Sequence, residues 1–279
     1  MAFGKLSQGD ELSDPANDED FQESVTALAD RLGAARRVVV FTGAGISTES
    51  GIPDFRSPGG FWTKYAPIEF GEFVSSPDAR RESWRRRFAT EEMYAAAQPN
   101  DGHHAIADLV KRGLVSAIIT QNIDNLHQNS GVPPERVIEL HGNTRYAKCL
   151  RCEAHAPLEP IRAWFEEHGD PPGCTACGGL MKTGTISFGE GMPPEAMQRA
   201  EMASRSCDLF IVLGSSLLVQ PAAGFPVVAR RNRAKLVIIN RDQTPLDMMA
   251  DLLIQSAIGP LMKAAIARLP APQNGVVGG

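Results

Sequence analysis

The stretch Val38-Val39-Val40-Phe41-Thr42-Gly43-Ala44-Gly45-Ile46-Ser47 decides the fold class of this chain. Its apolar and β-branched first half predicts a buried parallel strand, and its glycines predict a tight turn into a helix N-terminus. Glycine lets a backbone approach an anion closely, and the N–H groups at a helix start bind it. The stretch therefore indicates a nucleotide-phosphate turn. It is incomplete as a dinucleotide fingerprint, because Thr48 stands where the third glycine of G-x-G-x-x-G would be, and a plain strand-turn-helix is the alternative.

Length and charge limit the classes of protein to consider. A chain of 279 residues is long enough for one large domain and a smaller one. The net charge of -5 disfavours a nucleic-acid-binding role. Arginines cluster at residues 80–81 and 85–87, which is typical of a solvated helix face or, as the alternative, of a site for an acidic partner.

The location expected from the sequence is the cytoplasm. No apolar run approaches the roughly 18 residues that span a bilayer, so we expect no membrane association. The acidic residues 10–20 resemble neither a secretion signal nor a mitochondrial transit peptide. Cysteines would then stay reduced, which favours metal binding over disulfides.

Strands and helices alternate along most of the chain. After β-type runs at 38–42, 115–120, 137–140, 209–213 and 235–239, small or amide residues follow each time. This rhythm predicts an α/β fold, a Rossmann-like doubly wound parallel sheet. Ligands bind such sheets at the carboxyl ends of the strands.

Two insertions interrupt the rhythm and predict a second, smaller lobe. We assign 21–57, 100–145 and 183–268 to the Rossmann-like lobe, 58–99 to a cofactor loop and helical insertion, and 146–182 to a zinc module. Residues 1–20 and 269–279 are expected to be mobile tails.

The cysteines give the strongest local signal. Cys149-x-x-Cys152 and Cys174-x-x-Cys177 are two knuckles whose four thiolates suit a tetrahedral Zn(II) without an open position, so the metal is expected to be structural. Disulfides are the alternative. Cys207 is expected to be a packing residue.

Histidine spacing alone does not identify a catalyst. His103, His104, His127 and His141 all compete for such a role, and each could be a satisfied structural histidine. Asn122 and Asp124 follow a strand and could orient a ligand or cap a helix. Asn240 could contact a ribose or cap a turn.

Several motifs occur in an order that resembles the sirtuins, NAD-dependent protein-lysine deacylases, and in particular the bacterial type. They are Gly43-Ala44-Gly45-Ile46-Ser47, Ser50-Gly51-Ile52-Pro53-Asp54-Phe55-Arg56, Thr120-Gln121-Asn122-Ile123-Asp124, Leu126-His127, Leu140-His141-Gly142, the two cysteine pairs, Phe188-Gly189-Glu190 and Gly214-Ser215-Ser216-Leu217. The resemblance runs from about residue 21 to residue 267.

The resemblance implies one NAD, consumed as a co-substrate, and one structural zinc per chain. It implies catalytic roles for His141, as the base, and for Asn122 and Asp124. NAD-binding positions would be Gly43, Ala44, Gly45, Thr48, Asp54, Phe55, Arg56, Gln121, Asn122, Ile123, Asp124, Gly214, Ser215, Asn240, Arg241 and Ala257. Acyl-lysine proteins or peptides would be clamped as an added strand by Phe188, Gly189, Glu190 and Val219.

The implied reaction is removal of acetyl, or another uncharged acyl group, from lysine side chains, giving nicotinamide, O-acyl-ADP-ribose and free lysine. Family members that prefer acidic acyl groups carry a Tyr three residues before an Arg, and Trp84 and Arg87 are the expected counterparts here. Trp lacks the phenol hydroxyl that would bond a distal carboxylate, which favours an uncharged acyl group. A second departure, Thr183-Gly184-Thr185-Ile186-Ser187, puts peptide contacts in doubt.

Three other functions remain open. They are protein ADP-ribosyl transfer, a catalytically idle NAD-sensing or zinc interaction module, and a hydride-transferring dehydrogenase. The missing third glycine and the cysteine knuckles argue against the last. We expect a monomer.

Overall fold

The structure is a computed structural model that describes residues 19–270. Its helices and strands are, in chain order, α1 (Glu19–Ala34), β1 (Val38–Thr42), α2 (Phe61–Lys64), α3 (Phe70–Ser75), α4 (Pro77–Ala89), α5 (Glu91–Ala96), α6 (Asp101–Lys111), β2 (Val115–Thr120), α7 (Leu126–Asn129), β3 (Val137–Glu139), β4 (Gly142–Cys149), β5 (His155–Ala156), α8 (Leu158–His168), β6 (Met181–Thr185), α9 (Pro194–Ser206), β7 (Leu209–Leu213), α10 (Phe225–Arg231), β8 (Lys235–Ile239), β9 (Leu252–Ile254) and α11 (Ile258–Ala267).

The tails expected at 1–20 and 269–279 fall mostly on residues 1–18 and 271–279, which lie outside the described range. Helix α1 already begins at Glu19, and its first turn carries Glu19 and Asp20. Acidic side chains stabilise the positive end of a helix. Among the helices of residues 19–270, none has the length and apolar character needed to cross a membrane.

A six-stranded parallel sheet forms the large lobe, in the order β3-β2-β1-β7-β8-β9. Strand β1 lies at its centre, and all five of its residues are buried. Successive side chains of a strand point to opposite faces. Val38 and Val40 accordingly pack with α1, α6 and α11, whereas Val39 and Phe41 pack with α9 and α10. Both faces are covered by helices, which confirms the predicted doubly wound α/β fold.

The strand order reverses at β1. From this strand the chain proceeds to β2 on one side, and later to β7 and β8 on the other. Connections leave the sheet in opposite directions at such a point, so a crevice opens outside the carboxyl ends of the strands. The fold therefore predicts a ligand site beyond Thr42, Thr120, Leu213 and Ile239.

The smaller lobe contains an antiparallel sheet, β5-β4-β6, with α8 between its cysteine pairs. Sequence analysis predicts no helix at α8. The register shifts between Gly142, opposite Thr185, and Ala147, opposite Thr183. The Tyr146 ring lies over Gly184, where an added Cβ would be 2.3 Å from its Cε2. This contact explains why the segment 183–187, which departs from the family pattern, has a glycine at position 184.

The arginines of α4 are used mainly inside the small lobe. Arg80 donates to Phe73 O and Val74 O, Arg86 donates to Ala66 O, and Arg87 donates to Thr144 O. Arg81 and Arg85 pair with carboxylates at Asp78, Asp170 and Glu82. Arg80, Arg86 and Arg87 thus hold backbone carbonyls of the small lobe, whereas Arg85 is 64% exposed and lies, with Arg81, in surface ion pairs, as expected of a solvated helix face.

Candidate active site

A cavity of about 780 Å³ opens at the carboxyl edge of the sheet, and residues of both lobes line it. The structure brings all the predicted site residues except Asp124 and the cysteines to this lining. Those present are Gly43, Ala44, Gly45, Thr48, Asp54, Phe55, Arg56, Gln121, Asn122, Ile123, His141, Phe188, Gly189, Glu190, Gly214, Ser215, Val219, Asn240, Arg241 and Ala257.

The glycine turn is shaped by close contact with the loop after β7. Gly43 N–H donates to Leu213 O at 3.1 Å, and Gly45 N–H donates to Gly214 O at 2.8 Å. A Cβ added at Gly45 would lie 2.7 Å from Gly214 Cα. The chain then forms the helix that the sequence predicts at this point, as a 3-10 helix, Ala44–Ser50. The main reason for glycine at positions 43 and 45 is therefore the close approach of the loop after β7, since the N–H groups of both glycines already have hydrogen-bond partners.

A tight turn after this helix is organised by Asp54. Its Oδ1 accepts hydrogen bonds from the N–H groups of Arg56 and Ser57 at 2.9 and 2.7 Å, and its Oδ2 accepts one from Ser57 Oγ. Burial raises the pKa of Asp54, but these hydrogen bonds outweigh it and leave the pKa below its ordinary value. The carboxylate is therefore ionised at neutral pH and fixes the path of the predicted cofactor loop.

Aromatic side chains link this loop to the opposite wall. The ring of Trp62 lies 5.4 Å from Phe55 and 5.6 Å from Phe188, centroid to centroid, and the Arg56 guanidinium lies 4.4 Å above it. Tilted aromatic pairs and a cation over the face of a ring attract each other, so these contacts stabilise the loop. Sequence analysis does not identify Trp62 as a site residue, because no local pattern reports this contact.

The geometry of His141 suits a proton acceptor. Its Nδ1 lies 3.0 Å from the Gln121 carbonyl oxygen, which can only accept, so Nδ1 carries the proton and Nε2 keeps its lone pair. Burial lowers the pKa of His141, and the bond to Gln121 only partly opposes this shift. The ring is half-buried and neutral at pH 7.

Asp124 lies behind the cavity wall and is hydrogen-bonded to Ser47. Ser47 Oγ donates to Asp124 Oδ2 at 2.7 Å and accepts from Asn122 Nδ2 at 3.1 Å. Asp124 Oδ1 accepts from Leu126 N–H at 2.9 Å. Burial raises the pKa of Asp124, while its hydrogen bonds oppose the shift. Ser47 belongs to the glycine-turn motif, but the sequence predicts no role for it, since its partners lie more than 70 positions away in sequence.

Replacing Ser47 with alanine is expected to lower kcat/KM for NAD by roughly 10- to 100-fold, because the Asn122 amide and the Asp124 carboxylate each lose a buried partner, at about 1–3 kcal/mol. Steady-state kinetics with varied NAD measure this. Ser50→Ala, on the same 3-10 helix, is the control, since its hydroxyl accepts only from Asn100. Equal activity of Ser47→Ala and Ser50→Ala would contradict the account.

The far end of the cavity combines loops from three strands. Gln121 Nε2 donates to Ser215 Oγ at 2.7 Å, which joins the ends of β2 and β7. Asn240 Nδ2 donates to Asp242 O and so shapes the turn after β8. Glu49, which sequence analysis missed, accepts from Gly259 N–H at 3.0 Å and caps the first turn of α11.

The other histidines and Cys207 stay outside the cavity. Burial lowers the pKa of His103 to about 2 and that of His127 to about 4, so both are neutral structural residues. His104 is exposed on α6. Burial raises the pKa of Cys207 to about 12, and its thiol donates to Ser204 O, as expected of a packing residue.

The four cysteines of the knuckles converge on one point. Their sulfur atoms lie within 4.8 Å of one another, with Cys149 and Cys177 at 3.5 Å and Cys152 and Cys174 at 3.7 Å. Tetrahedral zinc–thiolate bonds of about 2.3 Å imply sulfur separations of about 3.8 Å. A Cβ at Gly179 would lie 2.9 Å from Cys149 Sγ. The donor set therefore fits one structural zinc.

Trp84 and Arg87 do not line the cavity, contrary to the role expected for them beside the acyl group. Trp84 is 1% exposed inside the small-lobe core, and its Nε1–H donates to Met181 O at 3.2 Å. Arg87 is held by Thr144 O. Apolar side chains of the cavity lining, among them Ile68, Met192 and Phe188, remain as the feature that favours an uncharged acyl group.

Comparisons with known proteins agree with this geometry. The model of the Sir2 family matches residues 43–221. "NAD-dependent protein deacetylase 1" of Bradyrhizobium diazoefficiens is 58% identical over 86% of this chain and 94% of its own length. "NAD-dependent protein deacetylase" of Rhodopseudomonas palustris is 57% identical over 84% of this chain and 93% of its own length.

A solved structure described as "Sir2-p53 peptide-NAD+" is 38% identical, with a TM-score of 0.77 over 87% of this chain and 97% of that one. "Structure of Sir2Tm bound to a propionylated peptide" is 37% identical, with the same TM-score and coverage. The family match covers more than half of the chain, and the relatives are matched over nearly their full length. The chain therefore belongs to the Sir2 family.

Proposed function

We propose that this protein removes acetyl or another uncharged acyl group from lysine side chains of proteins, with consumption of NAD. The observation that carries the proposal is the position of a neutral His141, with Nε2 unprotonated, on the same cavity as the glycine turn at the sheet's switch point. The curated relatives are named NAD-dependent protein deacetylases, and one solved relative is described as holding a p53 peptide and NAD+.

The residues present fit NAD. Gly43, Gly45 and Arg56 border the region proposed for the diphosphate, and the strand-end residues Gly214, Ser215, Asn240, Arg241 and Ala257 border that of the adenosine. When bound, NAD supplies the ribose carbon that accepts the acyl oxygen as nicotinamide leaves. The remaining NAD positions are assigned to Ala44, Thr48, Asp54, Phe55 and Gln121.

His141 is proposed as the general base. Its Nδ1–H remains on the Gln121 carbonyl, so Nε2 can take a proton from a ribose hydroxyl without a change of ring orientation. A lowered pKa keeps this nitrogen unprotonated at neutral pH. Proton transfer of this kind contributes about 10²- to 10⁴-fold to rates.

Asn122, Ile123 and Asp124 are proposed to form the pocket for the nicotinamide amide. Asn122 is directed by Ser47 Oγ, and the same hydroxyl is anchored by Asp124. A preorganised amide holds its partner without rearranging during the reaction. Asp124 is thus proposed as a positioning residue for Asn122, although the sequence assigned it direct contact.

The acyl-lysine segment is proposed to lie between two stretches that line the cavity, Phe188 to Glu190 and Val219. Phe188 is 44% exposed, so its ring is available to contact a bound peptide. Main-chain hydrogen bonds then give affinity, while side-chain pockets give selectivity. We further propose a cytoplasmic monomer without nucleic-acid partners; the net charge of -5 supports the last point.

A panel of peptides that share one sequence but carry different acyl groups tests the function. We expect NAD-dependent removal of acetyl and of short apolar acyl groups from the lysine, which mass spectrometry detects as free-lysine peptide and O-acyl-ADP-ribose, and slower removal of succinyl groups. Transfer of label from adenine-labelled NAD to protein, without loss of acyl groups, would favour ADP-ribosyl transfer. NAD binding with neither outcome would favour an idle sensing module.

A further inference from the structure

A buried ion pair lies beneath the loop that borders the proposed peptide site. Lys182, in β6, has a side chain that is 3% exposed, and its Nζ lies 3.0 Å from Glu190 Oε2, whose side chain is 16% exposed. Charged groups are almost never buried to this extent without a partner. Lys182 lies neither in the motifs quoted above for the resemblance nor in the cavity lining.

The ammonium group lies at the centre of the loop formed by residues 185–190. Lys182 Nζ also donates to Thr185 O. Glu190 Oε2 accepts from Ser187 N–H at 2.9 Å, and Glu190 N–H donates to Ser187 O at 3.1 Å. The turn passes through Gly189, whose φ is +77°, a left-handed value that favours glycine. The loop therefore closes around one carboxylate, which one lysine neutralises.

The same loop is joined to both sides of the cavity. Ile186 N–H donates to His141 O at 2.8 Å, and Phe70 N–H donates to Phe188 O at 2.8 Å. A change in the loop would thus reach the peptide wall and the backbone of the proposed base. It would not reach the adenosine end, where Ser215, Asn240 and Arg241 belong to other loops.

We infer that Lys182 is a positioning residue for the acyl-lysine substrate: it holds the Glu190 carboxylate inside the protein and so fixes the 185–190 backbone in the shape that receives the peptide. This inference rests on the proposed function. It also changes the role of Glu190, whose Oε2 is occupied by Lys182 and by Ser187 N–H. The loop's main chain, rather than that oxygen, would receive the peptide.

Removing one partner of a buried pair is worse than removing both, because it leaves an uncompensated charge. Lys182→Met preserves volume and strands the carboxylate. Glu190→Gln has a smaller effect, since Gln still accepts from Ser187 N–H and burial already lowers the pKa of Lys182, which can lose its proton. The double variant, Lys182→Met with Glu190→Gln, leaves no buried charge and should regain most of the loop's shape.

The test measures binding of a fluorescent acetyl-lysine peptide by anisotropy without NAD, together with KM for peptide and for NAD. We expect Lys182→Met to weaken peptide binding and raise peptide KM by about tenfold or more, with NAD KM within about twofold. The double variant should recover most of the loss. Lys148→Met is the matched control: Lys148 pairs with Lys182 across the β4–β6 ladder, but its own ion pair with Glu153 is exposed.

Three results would overturn the inference. The first is peptide binding by Lys182→Met equal to that of the unmodified protein, which still leaves the proposed function standing. The second is an equal loss in the single and double variants, with lower Tm and zinc content, because the pair would then only support the lobe. The third is an unmodified protein that neither binds nor deacylates the peptide, which would overturn the proposed function as well.

Discussion

Replacing His141 with alanine is expected to lower kcat for deacylation by roughly 10²- to 10⁴-fold, because the Nε2 lone pair that accepts the ribose proton is lost. NAD affinity should change little, since many other residues line the cavity. Steady-state kinetics and calorimetric titration with NAD separate the two quantities. His104→Ala is the control, as His104 is exposed on α6. Full activity of His141→Ala would remove the assigned base.

The pH dependence of turnover gives the same assignment an independent check. The pKa of His141 is lowered from its ordinary value of 6.5, so the neutral base persists as the pH falls to that value. Activity should therefore be lost only as the pH falls through a value below 6.5. An acidic limb centred clearly above 6.5 would contradict the predicted protonation state.

Replacing Cys174, one of the four cysteines of the proposed zinc site, is expected to unfold the small lobe. Structural zinc binds zinc-finger peptides with apparent free energies of about 10–16 kcal/mol at pH 7, which is comparable with the whole stability of a domain, about 5–15 kcal/mol. Cys174 and Cys149 are also part of the lobe's core. We expect Cys174→Ala to lose the metal, melt at a lower temperature and lose peptide turnover, as measured by elemental analysis, circular dichroism and kinetics.

Cys207→Ala provides the matched comparison, because Cys207 is buried in the large lobe away from the cluster. It should keep one zinc per chain and most of its activity, with a stability loss of about 1 kcal/mol. If Cys174→Ala retained its full zinc content and melting temperature, the cluster would not be a structural metal site.

The sheet could be predicted because its evidence is local. Four of the five predicted runs, such as Leu209 to Leu213, are marked by β-branched and apolar residues and are followed directly by a glycine or an amide. The run at 137–140 is followed by His141, and the short edge strand β9 is not predicted. Helix α8 has a local signal that the prediction overlooks: Leu158, Ile161 and Phe165 recur at helical spacing, although Pro157 and Gly169 at its ends are typical of a loop. The sequence predicts the helix after Gly43 but not its 3-10 form, because the close packing of this turn depends on Gly214, which is distant in sequence.

The site was predictable only as a list of residues. The order of motifs predicts most of the residues that line the cavity, but it does not predict the hydrogen bond of Ser47 to Asp124 or the ion pair of Lys182 with Glu190. These are contacts between distant segments, and no spacing rule reports them. The expected acyl-pocket role of Trp84 failed for the same reason, since its ring is directed into the small-lobe core.

The stoichiometry of a single incubation tests the central claim most directly. The unmodified protein, an acetyl-lysine peptide and NAD should yield equal amounts of nicotinamide, free-lysine peptide and O-acetyl-ADP-ribose by mass spectrometry. Nicotinamide and ADP-ribose formed without loss of the acetyl group, or free-lysine peptide formed without NAD, would contradict the account.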